Sequence, residues 1–269
     1  MNWWQAILLG LVEGITEYLP VSSSAHLLVT QRLLGIPNDE ASNAYAICIQ
    51  AGAIVAVLGL YRQRVFRVIG GIVGRDPAGR NLAVKLMVSF FPAAVIGTLF
   101  DDTIERLLFG VWPIVTAWAV GGLLLLFFSG RPHESPQRPL EGLSLTHAFW
   151  IGLAQCLAMW PGTSRSLVTI VAGLLVGLSM SAALEFAFLL GVLTLGAATA
   201  YKALAHGDDM INAYGLFNIS LGFFVAWASA AVAVQWMVGW LERHGLAVFG
   251  YWRLLAAAGV AALTLFGRL

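Results

Sequence analysis

The chain has 269 residues, 59% of them hydrophobic and only 11% charged. A soluble domain carries about 25% charged residues, so this chain cannot cover a water-facing surface and has the composition of an integral membrane protein. A net charge of +1 leaves no basic field for nucleic acid.

The first segment, Asn2–Leu34, is apolar but broken near its middle by Leu19-Pro20-Val21-Ser22-Ser23-Ser24. Each half is too short to span a bilayer with ease and suits a re-entrant hairpin, because proline ends a helix and serine caps the next. The run Trp3–Val12 lacks a basic flank and leads into Glu13 and Glu17, which is not the pattern of a cleavable signal peptide. Three spans follow at about Asn43–Tyr61, Leu82–Phe100 and Val111–Ser129. A second broken segment, Thr146–Leu178, is interrupted by Pro161-Gly162-Thr163-Ser164. Three more spans follow at about Ala182–Ala205, Gly215–Leu241 and Gly250–Gly267. Cys48 and Cys156 sit far apart in apolar stretches and read as buried free thiols.

The two broken segments match. Gln5–Glu13 aligns with His147–Gln155, and Pro20 and Ser23 align with Pro161 and Ser164 after a one-residue slip. The chain is therefore a single membrane domain of two repeats, about 1–130 and 146–269, each a hairpin plus three spans. An odd number of crossings per repeat inverts the second copy, an architecture that transporters share. Arg62, Arg64, Arg67, Arg75, Arg80 and Lys85 between the first two spans place that loop in the cytoplasm. Asp101-Asp102 and Asp208-Asp209 then fall outside, Arg131, Arg138 and Arg243 inside, and both termini outside.

Charge within a membrane marks function, and here it falls at Glu13, Glu17, Arg165 and Glu185, with His26 adding a titratable group. Glu13 and Glu17 are at i and i+4 on one helix face. Two such carboxylates repel unless a cation lies between them, and oxygen ligands suit Mg²⁺ or Ca²⁺. Gly162, Thr163, Ser164, Arg165 and Ser166 at a helix start form a site shaped for phosphate. Ser22, Ser23, Ser24 and His26 stand at the matching start in the other hairpin. Together these residues are suited to phosphoryl transfer on a lipidic substrate. A serine nucleophile and a metal-activated water require similar residues, and both readings stay open. So does a lipid-phosphate flippase, because fold alone does not separate enzyme from carrier.

Glu13-Gly14-Ile15-Thr16-Glu17, running on to His26, and Pro161-Gly162-Thr163-Ser164-Arg165-Ser166-Leu167-Val168-Thr169 resemble the two motifs of the bacterial undecaprenyl pyrophosphate phosphatase family. The resemblance covers essentially the whole chain. It implies an all-α polytopic fold with two inverted repeats, six spanning helices and two re-entrant hairpins, in the bacterial inner membrane. It further implies hydrolysis of undecaprenyl diphosphate to the monophosphate and phosphate, which recycles the cell-wall lipid carrier and bears on bacitracin resistance. A divalent cation would be held by Glu13 and Glu17, which also handle protons. Ser23 would be the nucleophile with His26 beside it. Arg165, Ser164, Ser166 and Thr169 would bind the diphosphate, with Ser22, Ser24 and Gly162 around it. Leu167 and Ala25 stand where family members usually carry glycine, Met180 where a basic residue is common, and Leu193 where proline is common. These departures leave room for a specialised paralogue acting on another polyprenyl or lipid phosphate. The sequence leaves the oligomeric state open, a homodimer included.

Overall fold

The computed structural model describes residues 1–37, 39–129 and 137–269, with the side chains of 101–103, 105 and 242 outside the description. Arg131 of the orientation argument and the side chains of Asp101 and Asp102 therefore lie outside it. The described chain is helical, with ten α-helices and two short 3₁₀ turns. The first hairpin is α1 (Trp3–Thr16) and α2 (Ser23–Leu33). Next come α3 (Glu40–Leu60), α4 (Arg62–Ile72), α5 (Pro77–Leu108) and α6 (Val111–Ser129). The second hairpin is α7 (Leu145–Gln155) and α8 (Arg165–Leu175), followed by α9 (Met180–His244) and α10 (Ala247–Leu265).

At 1.5 Å per residue α9 would run about 100 Å, some three times the bilayer core. It does not run straight, because His206 and Gly215 leave helical geometry and divide it. Tyr45 Oη on α3 donates to Asn218 O and Thr199 Oγ1 to Ile47 O, while Tyr61 at the other end of α3 meets Phe188. Gly52, between them, packs on the backbone of Phe223 and Trp227. Residues 180–205 thus run antiparallel to α3 and 216–244 parallel to it, so α9 supplies two of the six spans.

The spans follow the expected places, α6 coinciding with its predicted range. One element departs. The basic stretch after α3, read as a loop, is the helix α4, in which Arg62, Arg64 and Arg67 alternate with Val65, Phe66, Val68 and Ile69 at helical spacing. The exterior is apolar, with Leu99, Leu204, Phe217 and Leu255 largely exposed. That is the surface of a multi-pass membrane protein.

The first helix of each hairpin packs on a spanning helix. The stripe Ala6, Leu9, Gly10, Glu13, Gly14 of α1 is buried against α9. No side chain would fit at Gly10 or Gly14, which lie on the carbonyls of Gly222 and Ala226. This close backbone approach is how small residues join helices in a membrane. α7 packs likewise on α5 through Gly152 and Ser89. Cys48 and Cys156 form no disulfide and are half-buried.

Candidate active site

Both hairpins open at a break, residues 17–22 and 156–164. Among the described residues Ser22 and Ser164 are the non-glycine residues with positive φ, 74° in each. That conformation costs of order 1–3 kcal/mol and persists only where its surroundings enforce it. Each serine stands just before an 11-residue helix. Gly35 and Gly177 follow those helices with φ of 65° and 89°. Ser22 is therefore the counterpart of Ser164, and Ser23 that of Arg165, one residue away from the alignment based on the prolines.

A broken helix leaves carbonyls that lipid cannot satisfy. Here all of 19–22 have side-chain donors: Leu19 O accepts from Ser166 Oγ (2.9 Å), Pro20 O from Arg253 (3.3 Å), Val21 O from Trp118 (2.8 Å) and Ser22 O from His26 Nδ1 (2.7 Å). In the second break Arg253 also donates to Gly162 O (2.7 Å) and Thr163 O (3.2 Å), and to Ala117 O on α6 (2.9 Å). Gly162 N donates to Ser22 Oγ at 3.1 Å. The breaks are thus tied to one another and to α10. Arg253 is 0% exposed and its guanidinium lies where a side chain at Gly121 would stand.

The chemistry-bearing groups meet inside this frame. Glu17 accepts from Ser23 Oγ through one carboxylate oxygen and from Arg165 Nη2 (3.1 Å) through the other. Arg165 Nη1 donates to Ala187 O at 3.0 Å, leaving three of its five donors uncommitted among the described residues. Glu13, one turn before Glu17, is 0% exposed, and its oxygens accept from no N–H or hydroxyl donor among the described residues. Ser164 Oγ caps α8 by accepting from Leu167 N (3.2 Å) and lies 3.0 Å from Ser166 Oγ. Ser24 Oγ lies 3.3 Å from Ser22 Oγ.

Two expected contacts are absent. His26 does not hydrogen-bond Ser23. Its Nδ1 is on Ser22 O and its Nε2 accepts from Trp252 Nε1 at 3.1 Å, the two ring planes being nearly parallel. Thr169 spends its hydroxyl proton on Arg165 O, inside its own helix. Glu185 belongs elsewhere: it pairs with Arg64, which also holds Glu141.

A family model for bacitracin resistance protein BacA matches residues 6–259. The chain belongs to that family. It is 41% identical to an undecaprenyl-diphosphatase of Sorangium cellulosum, over 96% of this chain and 85% of that protein. Undecaprenyl-diphosphatase 1 of Chromobacterium violaceum is 41% identical over 93% of this chain and 92% of its own length. The Azotobacter vinelandii undecaprenyl-diphosphatase is 42% identical over 94% and 92%.

Set against this BacA chain, sequence reasoning missed Arg253, although a charge inside the span Gly250–Gly267 was signal enough. It also missed Gln155, the counterpart of Glu13, whose amide is buried without a hydrogen-bond partner among the described residues. Of the departures from the BacA pattern, Leu167 and Ala25 are buried among core side chains, so their added bulk is packed.

Proposed function

We propose that this BacA-family protein hydrolyses undecaprenyl diphosphate to undecaprenyl phosphate and inorganic phosphate. The observation that carries the reading is the buried Ser23–Glu17–Arg165 cluster assembled from both hairpin breaks, in a chain about 40% identical to undecaprenyl-diphosphatases. In this reading Arg165 and the α8 start, with Gly162, Ser164 and Ser166, hold the diphosphate. Ser22 and Ser24 flank it from the other break. Ser23 Oγ attacks the terminal phosphorus while Glu17 takes its proton. The bond from phosphorus to the bridging oxygen breaks, and that oxygen leaves with the lipid monophosphate. Glu17 passes that proton to the departing lipid monophosphate, takes one from the water that attacks the phosphoserine, and returns it to Ser23 Oγ as phosphate leaves. The hydrogen bond between Ser23 and Glu17 favours serine over direct attack by water, and His26, engaged at both nitrogens, orients the Ser22 turn. Thr169, its hydroxyl bound within α8, supports the helix that carries Arg165.

Glu13 and Glu17 fit a hard divalent cation, Mg²⁺ or Ca²⁺. Glu13 is a buried acid whose oxygens meet no donor among the described residues, and Mg²⁺ is commonly held by one or two carboxylates plus substrate phosphate. Among the described residues no cluster of three or more ligating side chains occurs, so the substrate would complete the shell. The cation would offset charge on the diphosphate. The cross-ties through Arg253 favour a fixed site and hence hydrolysis over carriage of the lipid. By its basic residues the α4 end faces the cytoplasm and both termini face outward, in the bacterial inner membrane.

The test is phosphate release from undecaprenyl diphosphate by the purified protein, with Mg²⁺ or Ca²⁺ and then with chelator. Release that stops with chelator is expected. Full turnover by Glu17→Ala and Arg165→Ala would sink the assignment.

A further inference from the structure

A second polar site lies at the α4–α5 junction, away from the breaks. A cavity of about 110 Å³ is lined there by Arg64, Arg67, Asn81, Lys85 and Glu141. That is room for about three or four waters, or for one tetrahedral anion. The charges around it are unequally matched. Arg64 is spent on Glu141 and Glu185, and the Asp76 carboxylate caps α5 through Gly79 N. A backbone hydrogen bond at Glu141 and the Arg64 guanidinium hold the Glu141 carboxyl below its ordinary value, so it stays charged beside Arg64.

Two cations remain. Lys85 is 5% exposed, yet its ammonium makes one hydrogen bond, to Glu141 O at 3.1 Å, and no ion pair among the described residues. An ammonium has three donors, so two are left, and the three cations Arg64, Arg67 and Lys85 share the two carboxylates of Glu141 and Glu185, an excess of one positive charge around the cavity. Arg67 forms no ion pair among the described residues, and the Asn81 amide lines the same cavity. A guanidinium, an ammonium and an amide converging on a small cavity suit a phosphate group.

We propose that the cavity between Arg67, Asn81 and Lys85 binds a phosphate group at a site separate from the Glu17–Arg165 cluster. The group belongs either to free phosphate or to the headgroup of an anionic lipid. The apolar groove of Ala83, Val84, Met87, Phe91 and Phe149 lies on another face of α5.

The experiment uses the full chain with Arg165→Gln, which removes the charged phosphate contact of the central site, and reads the difference made by Arg67. Inorganic phosphate is titrated while the thermal midpoint in detergent is followed. A rise is expected, with the dissociation constant about tenfold weaker on adding Arg67→Gln, the loss of one charge-assisted contact. Lys85→Gln should act likewise; Arg67 is exposed, so its variant serves if the buried one fails to fold. In parallel, the protein is washed out of phosphatidylglycerol bilayers and retained lipid is measured by native mass spectrometry. A phosphate response that needs Arg67 supports free phosphate. Phosphatidylglycerol retained only when Arg67 is intact supports the headgroup. Equal binding by parent and Arg67→Gln in both assays, or no binding in either, overturns the site.

Discussion

The two hairpin breaks share a backbone and differ in charge. Ser22 and Ser164 have the same φ, and Ser22–Ser24 and Ser164–Ser166 make the same hydroxyl pair. Between those hydroxyls the first break carries Ser23 and the second Arg165. At matching positions of α1 and α7 the first hairpin buries Glu13 and the second Gln155. On one backbone the first break is acidic and hydroxyl-bearing and the second cationic. Neither copy holds a complete site, since Glu17 meets Arg165 across the pair.

The comparison breaks most sharply at that crossing. Glu17→Gln removes the acceptor of the Ser23 proton and the partner of Arg165. Phosphate release should fall about a thousandfold, measured on protein that elutes as the parent does from a sizing column. Arg253→Ala should come next. It leaves Pro20, Gly162, Thr163 and Ala117 carbonyls without their donor. The expected loss is about 3 kcal/mol, read as a lower thermal midpoint in detergent, and an unchanged midpoint would show that the breaks hold without it. Glu13→Gln makes the first hairpin resemble the second. Activity should drop about ten- to a hundredfold and lose its response to chelator, while the fold becomes no less stable because an unpartnered buried acid is gone. A variant still stopped by chelator would place the cation elsewhere. Smallest are Ser22→Gly and Ser164→Gly. Relief of positive φ offsets the lost hydroxyl contacts, so each should shift stability by under about 1 kcal/mol in urea or heat. A large loss at one break alone would mean that the shared backbone is held for different reasons.

Much of this was legible in the sequence because it rests on local chemistry. Proline and serine runs inside apolar segments marked both breaks, and Glu13, Glu17 and Arg165 stood out as charges where lipid penalises charge. The register between the breaks was misread by one residue. The prolines, 141 apart, were the visible marks, while the helices α2 and α8 start 142 apart. α4 was missed because its arginines resemble a cytoplasmic loop and its apolar face is short. The partners of His26, Trp252 and Arg253 were not legible. Trp252 lies 226 positions from His26, and Arg253 lies 90 to 233 positions from the carbonyls it reaches, and no local pattern specifies which carbonyl a distant guanidinium will reach.

Arg253 also sets an order of events during biosynthesis. α10 leaves the ribosome after both hairpins and all the other spans described here. Until it inserts, the carbonyls of Pro20, Gly162 and Thr163 lack their donor, and the halves have less to hold them together. A nascent chain that stalls before α10 would carry every motif residue and still lack the clamp that joins its two breaks.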